Sequence, residues 1–360
     1  MFPYWLLFGV VAWMAINRIQ ATYSNGSLHN HWPLSWIICL WVLTSAIGLR
    51  HEVGADWNVY LDIFDMEIGG TLGEYLSTSM DPAYALISWF GGNIWGSIYI
   101  VNFFCGLFFS WGLIVFCRAQ PLPWLALLVA VPYLITVVAM GYSRQGAAIG
   151  VAMLAITTLL RGSLWGFLFW ISLAMTFHKS AIVLVPFALF AINRNYFISI
   201  ISVLSAAPIL FLLMLQESLP FLIIGYIESE YESSGAAFRI GMNSVPALLF
   251  LTYRKRFSLK DTEKNFWTIM SFSGLFFVGL LFAFRTSVAL DRLALYWIPL
   301  QLFFWSRLPY AMASSLVTRR LCVGIVIAYS FLVYYVWLNF SVHSEYWIPY
   351  QFYPWKLLWN

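Results

Sequence analysis

Long apolar stretches separated by short polar breaks run the length of the chain, and the breaks carry most of its information. The apolar runs fall near residues 2–17, 32–49, 94–117, 122–141, 145–160, 164–177, 180–193, 196–216, 241–253, 265–284, 293–306 and 321–340. They predict an all-α, polytopic integral membrane protein of about twelve transmembrane helices. Several runs are shorter than the roughly 20 residues a straight span needs, so some spans are expected to be short or broken. Two breaks are long enough to be outer loops with a role of their own, near 50–93 and 217–240. No repeat period and no low-complexity segment divides the chain, which reads as a single integral domain over 1–360. Residues 1–16 have neither a basic n-region nor a small-residue cleavage site, so they read as a span rather than a cleaved leader.

Composition places the chain in the same class. It is 62% hydrophobic and only 9% charged, where a soluble domain carries roughly a quarter charged residues. Trp and Tyr are abundant, as suits the headgroup belts at the two membrane surfaces. Cys39, Cys105, Cys117 and Cys322 lie in or at the ends of apolar runs with no CxxC spacing, so neither a disulfide nor a metal site is expected. The net charge of +4 reports membrane topology before it reports any partner, and nucleic acid is not expected to be one.

The positions of the charges change the picture more than their number. With the N-terminus outside and the spans alternating, the inner connections hold Arg18, Arg118, Arg161, Arg194, Arg254, Lys255, Arg256, Lys260, Lys264, Arg307, Arg319 and Arg320 against only Asp261 and Glu263. That asymmetry is the one the positive-inside rule predicts, and the opposite orientation violates it. The expected topology is therefore N-out and C-out. It leaves seven basic residues outside, namely Arg50, Arg144, Lys179, Arg239, Arg285, Arg292 and Lys356. Apart from Lys356, each sits at or near the end of an apolar run. A charge at such depth is costly unless it is paired or lines a wet cavity. Interfacial anchoring, or pairing with the outer acids, accounts for any one of them; six at comparable depth point to a shared anionic ligand.

Four segments contain residues suited to chemistry. Residues 50–81 hold seven of the fifteen acids. Most suit a solvated loop, with Asp62 and Asp65 sharing a face if a helix forms there. Asp56, just after Gly54, is the carboxylate placed to orient sugar hydroxyls or act as a general base. Gly141-Tyr142-Ser143-Arg144-Gln145-Gly146 opens an apolar helix. An arginine beside the free N–H groups of a helix start makes a phosphate site, although a plain outer turn with a capping serine is the alternative. Thr176-Phe177-His178-Lys179-Ser180 interrupts a stretch whose two arms are each too short to cross a bilayer. His178 at that corner is a candidate base or hydroxyl ligand, or else a buried histidine bonded to a neighbouring carbonyl. Arg285 and Arg292 are seven residues apart and share a face if they lie on one helix, with Asp291 able to pair one of them.

Taken in order, Arg50 with Val53-Gly54-x-Asp56 and Tyr60, Asp81-Pro82-x-Tyr84, Ser143-Arg144-Gln145, Phe177-His178-x-Ser180-Ala181 leading to Pro186, and Arg292-x-x-x-Tyr296 resemble the EpsG family. That family of polysaccharide-assembly proteins groups with Wzy-type O-antigen polymerases. Asp81 stands where a glutamate is expected before the proline. The resemblance implies a GT-C-like membrane glycosyltransferase in the bacterial inner membrane, working on its periplasmic face. There it passes a glycan from undecaprenyl pyrophosphate to the next lipid-linked repeat unit. On this reading Arg144, Arg239, Arg285 and Arg292 hold the diphosphates with help from Arg50 and Lys179. His178 or Asp56 takes the acceptor proton, while Tyr60, Gln145, Asp291 and Tyr296 contact the acceptor sugar. Direct displacement inverts the anomeric carbon, and neither a metal nor a cofactor is expected. Besides the lipid-linked oligosaccharide and the bilayer, a membrane chain-length regulator is a candidate partner. A flippase or exporter for the same lipid-linked sugar, or a related transferase or ligase, is the alternative.

Overall fold

In the computed structural model of the chain, residues 1–19, 32–78, 81–192, 235–283 and 288–359 are described. Nearly all regular structure among them is helical. Helix α1 (Phe2–Asn17) and α2 (Leu34–Gly48) precede the two-residue strand β1 (Arg50–His51). Three short helices follow, α3 (Trp57–Glu67), α4 (Leu72–Thr78) and α5 (Pro82–Phe90), the last running into a π turn at Gly91–Trp95. Next come α6 (Ile98–Arg118), α7 (Pro123–Ala130, extended by a π segment at Val131–Ala139), α8 (Ser143–Leu160) and α9 (Leu164–Phe177). A 3₁₀ turn at Lys179–Leu184 leads into α10 (Val185–Ile192). After the undescribed 193–234 stand α11 (Ala236–Tyr253), α12 (Asp261–Ala283), α13 (Val288–Ala294), α14 (Ile298–Met312) and α15 (Leu316–Phe340). Strand β2 (Gln351–Phe352) and α16 (Tyr353–Trp359) end the chain.

The helix boundaries follow local chemistry. Pro82, Pro123 and Pro299 sit in the first turns of α5, α7 and α14, where a missing N–H costs nothing. Ser163 caps α9, and Ser315 with Thr318 forms a capping box on α15. In α7 the Thr136 hydroxyl donates to the Val131 carbonyl at 2.9 Å, a bond that accompanies the widened turn around Pro132.

Helix α6 packs against both α2 and α8, and α8 against α9. The approach depends on small residues: a Cβ on Gly112 of α6 would lie 1.8 Å from the Gly150 carbonyl of α8, and one on Gly48 of α2 would lie 2.4 Å from the Phe103 Cα of α6. Helices α11, α12 and α14 pack together, while α7 meets α1, α14 and α15. Leu113, Ile114, Leu128, Leu134, Ile149 and Phe303 lie at the centre of this packing with no exposed surface.

Several expectations are refined. Among the described residues four helices, Ile98–Arg118, Ser143–Leu160, Asp261–Leu281 and Leu316–Phe340, are long and apolar enough to cross a membrane. Shorter apolar helices are Phe2–Asn17, Leu34–Gly48, Pro123–Ala139, Leu164–Phe177 and Lys179–Ala188. The run at 196–216 and most of the loop at 217–240 lie outside the described residues. The stretch expected as a loop at 50–93 is largely helical, because Pro82 and the polar starts of α3 and α4 permit short amphipathic turns. Asp62 and Asp65 are both exposed there, as a solvated helix face requires. Arg307, expected in an inner connection, lies within α14 and is buried. Gln120 and Glu263 accept hydrogen bonds from its guanidinium at 3.2 and 3.1 Å.

Candidate active site

The start of α8 anchors the site. Ser143 does not cap this helix. Its hydroxyl instead accepts from Arg50 Nη2 at 2.8 Å and donates to Asn102 Oδ1 at 2.9 Å, which ties α8 to α2 and α6. Arg50 is 2% exposed, and its other N–H groups go to the carbonyls of Val53 and Ile47. The guanidinium expected to assist with diphosphate is thus committed to a clamp behind the site. Gly54, at φ +109°, makes the turn that follows; a Cβ there would lie 2.5 Å from the Met140 carbonyl. The Gly54 N–H donates to the Tyr346 carbonyl at 2.8 Å, and β1 pairs antiparallel with β2. The C-terminal tail therefore closes over this end of the bundle.

Replacing Arg50 with methionine keeps the aliphatic stem but removes every donor of the clamp, leaving three buried acceptors unmet. A loss of about 2–3 kcal/mol is expected, read as a lower melting temperature of the detergent-solubilised protein. An unchanged melting temperature contradicts the clamp.

Beside the clamp, the structure draws together charges that are distant in sequence. Arg144, the second residue of α8, pairs with Asp81 at 3.1 Å, and its guanidinium lies 5.5 Å from the ring centres of Tyr60 and Tyr84. The neighbouring Gln145 is buried and donates from Nε2 to the Arg292 carbonyl at 2.8 Å. Arg292 itself stacks on Tyr142 at 4.1 Å and approaches Asp56 at 3.7 Å. Arg239 of α11 is ion-paired to Asp291 of α13 and lies over Tyr133. Cation–aromatic contacts of this kind hold guanidinium groups at the edge of an apolar bundle without neutralising them.

A second group closes the other side. His178 ends α9, and its Nδ1 accepts the Ser180 backbone N–H at 3.3 Å. The Ser180 hydroxyl lies 2.5 Å from the same nitrogen and 3.1 Å from the Tyr296 hydroxyl. Both Arg144 and Arg292 are near enough to act on His178 electrostatically. Lys179 approaches Asp81, to which its backbone N–H donates. Burial raises the Asp81 carboxyl to about 6, with Arg144 and Lys179 pulling the other way.

Asp56, Tyr60, Arg144, Gln145, His178, Lys179, Arg292 and Tyr296 are thus brought into one region, with Arg239 and Asp291 alongside and Arg50 behind. Arg285 lies outside the described residues. Asp81, Asn102, Ser143, Tyr84 and Tyr142 join the site without having been singled out for roles. Only the position of Asp81, an acid before a proline that starts a helix, could have marked it in advance. Among the buried polar atoms without a hydrogen-bond partner, Arg144 Nε, Arg239 Nε and Gln145 Oε1 belong to this region. Two of these atoms, Arg144 Nε and Arg239 Nε, are donors; donors left unmet inside a folded protein are uncommon, and a guanidinium is suited to grip an anion. A cavity of about 230 Å³ lies at the opposite end of the bundle, lined by Pro121, Arg256 and Arg307 among others, and shares no residue with this site.

A family model described as EpsG family matches residues 34–352, nearly the whole chain. No curated protein and no solved structure matches it.

Proposed function

The chain belongs to the EpsG family, and from that premise we propose that it polymerises oligosaccharide repeat units linked to undecaprenyl diphosphate. The product is O-antigen or a related surface polysaccharide, made at the periplasmic face of the bacterial inner membrane by a GT-C-like bundle of about twelve helices. The observation that carries this reading is the convergence of Arg144, Arg239 and Arg292, with the unmet donors at Arg144 Nε and Arg239 Nε. A planar guanidinium matches phosphate oxygens in a way a point charge does not.

In the proposed reaction the acceptor hydroxyl attacks the anomeric carbon of the donor and the lipid diphosphate leaves, inverting that carbon. Negative charge grows on the leaving diphosphate as the bond breaks, so cations already fixed around it stabilise the transition state more than the ground state. Arg144, Arg239 and Arg292 take this role together with Arg285, and Lys179 adds charge. Tyr60, Gln145 and Tyr296 bind acceptor hydroxyls, with Asp291 holding Arg239. Arg50 acts through Ser143 as a positioning residue. The guanidinium groups supply the charge that a divalent ion supplies elsewhere, so elongation proceeds in the presence of a chelator.

The test is purified protein given lipid-linked repeat unit alone, with EDTA present. A ladder of products with lipid diphosphate released is the expected result. A single extension points to a one-step transferase or ligase, and an unchanged glycan that crosses vesicle membranes points to a flippase. Either outcome removes the polymerase reading.

A further inference from the structure

Sequence left the proton acceptor open between His178 and Asp56, and the geometry argues against both. With Nδ1 already accepting from the Ser180 N–H, the hydrogen of a neutral His178 ring sits on Nε2. The free edge of that ring then offers a donor to an incoming sugar, not a lone pair. The Asp56 side chain is 33% exposed and stands opposite Arg292, so solvent competes for it and its nearest charged neighbour is one that the diphosphate also needs.

We propose that Asp81 is the general base that takes the proton from the acceptor hydroxyl, and that His178 orients the acceptor sugar as a hydrogen-bond donor. This rests on the polymerase reading. Asp81 is 5% exposed and immediately precedes Pro82, whose fixed backbone begins α5. Arg144 holds one carboxylate oxygen at 3.1 Å, and the Lys179 backbone donates to the same carboxylate. Arg144 and the Lys179 N–H together fix the orientation of that carboxylate beside the cations. Asp81 therefore stands where the diphosphate cations, through Arg144, meet the sugar-facing group of His178, Ser180 and Tyr296.

The charged and titratable groups acting on Asp81 from the elements around it are Arg144, Lys179 and Tyr296. Its burial outweighs the two cations, so the carboxyl titrates near 6: charged at neutral pH, yet basic enough to accept a proton. In the step itself the hydroxyl proton moves to Asp81 and the oxygen lone pair forms the bond to the anomeric carbon. The bond from that carbon to the diphosphate oxygen breaks, its electron pair departing with the lipid diphosphate. Asp81 afterwards returns the proton to water.

The experiment compares wild type, Asp81→Asn and Asp81→Glu in two measurements: elongation rate across pH with lipid-linked repeat unit, and affinity for inorganic pyrophosphate. Wild-type elongation is expected to fall as pH drops through about 6, because a protonated Asp81 cannot act. Asp81→Asn is expected to slow elongation about a hundredfold while binding pyrophosphate equally well or more tightly, since Arg144 is released from its partner. Asp81→Glu keeps measurable elongation with a displaced inflection, and Asp56→Asn and His178→Gln keep the inflection near 6. Elongation by Asp81→Asn within threefold of wild type overturns the assignment. So does pyrophosphate affinity falling in step with the rate, which would make Asp81 only a support for Arg144. A wild-type protein that forms no ladder removes the polymerase reading, and the base with it.

Discussion

Arg144→Ala is expected to lower the elongation rate about a thousandfold, equivalent to about 4 kcal/mol of transition-state stabilisation. The size follows from placement. Arg144 lies at the start of α8, is paired with Asp81, is flanked by the rings of Tyr60 and Tyr84, and has an Nε with no partner. A donor held this firmly needs no reorganisation when charge appears on a leaving phosphate oxygen. Arg144→Lys keeps the charge but not the fork, and is expected to recover only part of the loss. Initial rates with lipid-linked repeat unit, at matched amounts of folded protein, provide the measurement. Rates for Arg144→Ala within tenfold of wild type place the diphosphate elsewhere.

The second large effect concerns the scaffold that brings Arg144 to the site. Gly112→Leu is expected to yield no folded protein, and Gly112→Ala to cost about 3 kcal/mol or more. A Cβ at position 112 meets the backbone of Gly150 at 1.8 Å, and one at position 150 meets the Phe109 Cα at 2.3 Å. No flexible side chain is available to yield at either contact, so α6 and α8 must separate. Close approach through small residues is also what holds helices together where lipid removes the usual apolar driving force. Gly324 in α15 provides the control, because a Cβ there meets nothing within 4 Å; Gly324→Ala is expected to leave the melting temperature unchanged. Size-exclusion profiles and thermal unfolding in detergent give the readout. A normal profile for Gly112→Leu contradicts the packing.

Arg50 and Arg144 looked alike in the sequence, each a cation at the end of an apolar run. The structure separates them. Arg50 spends its N–H groups on Ser143, Val53 and Ile47, whereas Arg144 keeps an Nε without a partner. Arg144 opens a helix and Arg50 follows one, but which guanidinium is spent on buried partners is decided by how these segments pack. The burial of Asp81 was hidden for a related reason. It is one of seven acids in 50–81, and Asp62 and Asp65 in the same segment are exposed. Tertiary packing decides that Asp81 is buried: α5 lies against α4, α6 and α9, and Lys179 approaches the carboxyl.

What the sequence determined alone is the solvent and the helical character of the chain, along with the short list of charges that hydrocarbon does not tolerate. Both are sums over neighbouring residues: hydropathy accumulates along a run, and a charge at the end of a run is out of place wherever that run is packed. Pairing was decided by the tertiary structure. Arg144 meets Asp81 across 63 positions, Gln145 reaches Arg292 across 147, and Arg239 finds Asp291 across 52. Such partners are selected by which ends of α5, α8, α11 and α13 the packing brings level with one another. That geometry is a property of the whole bundle, not of any stretch of chain.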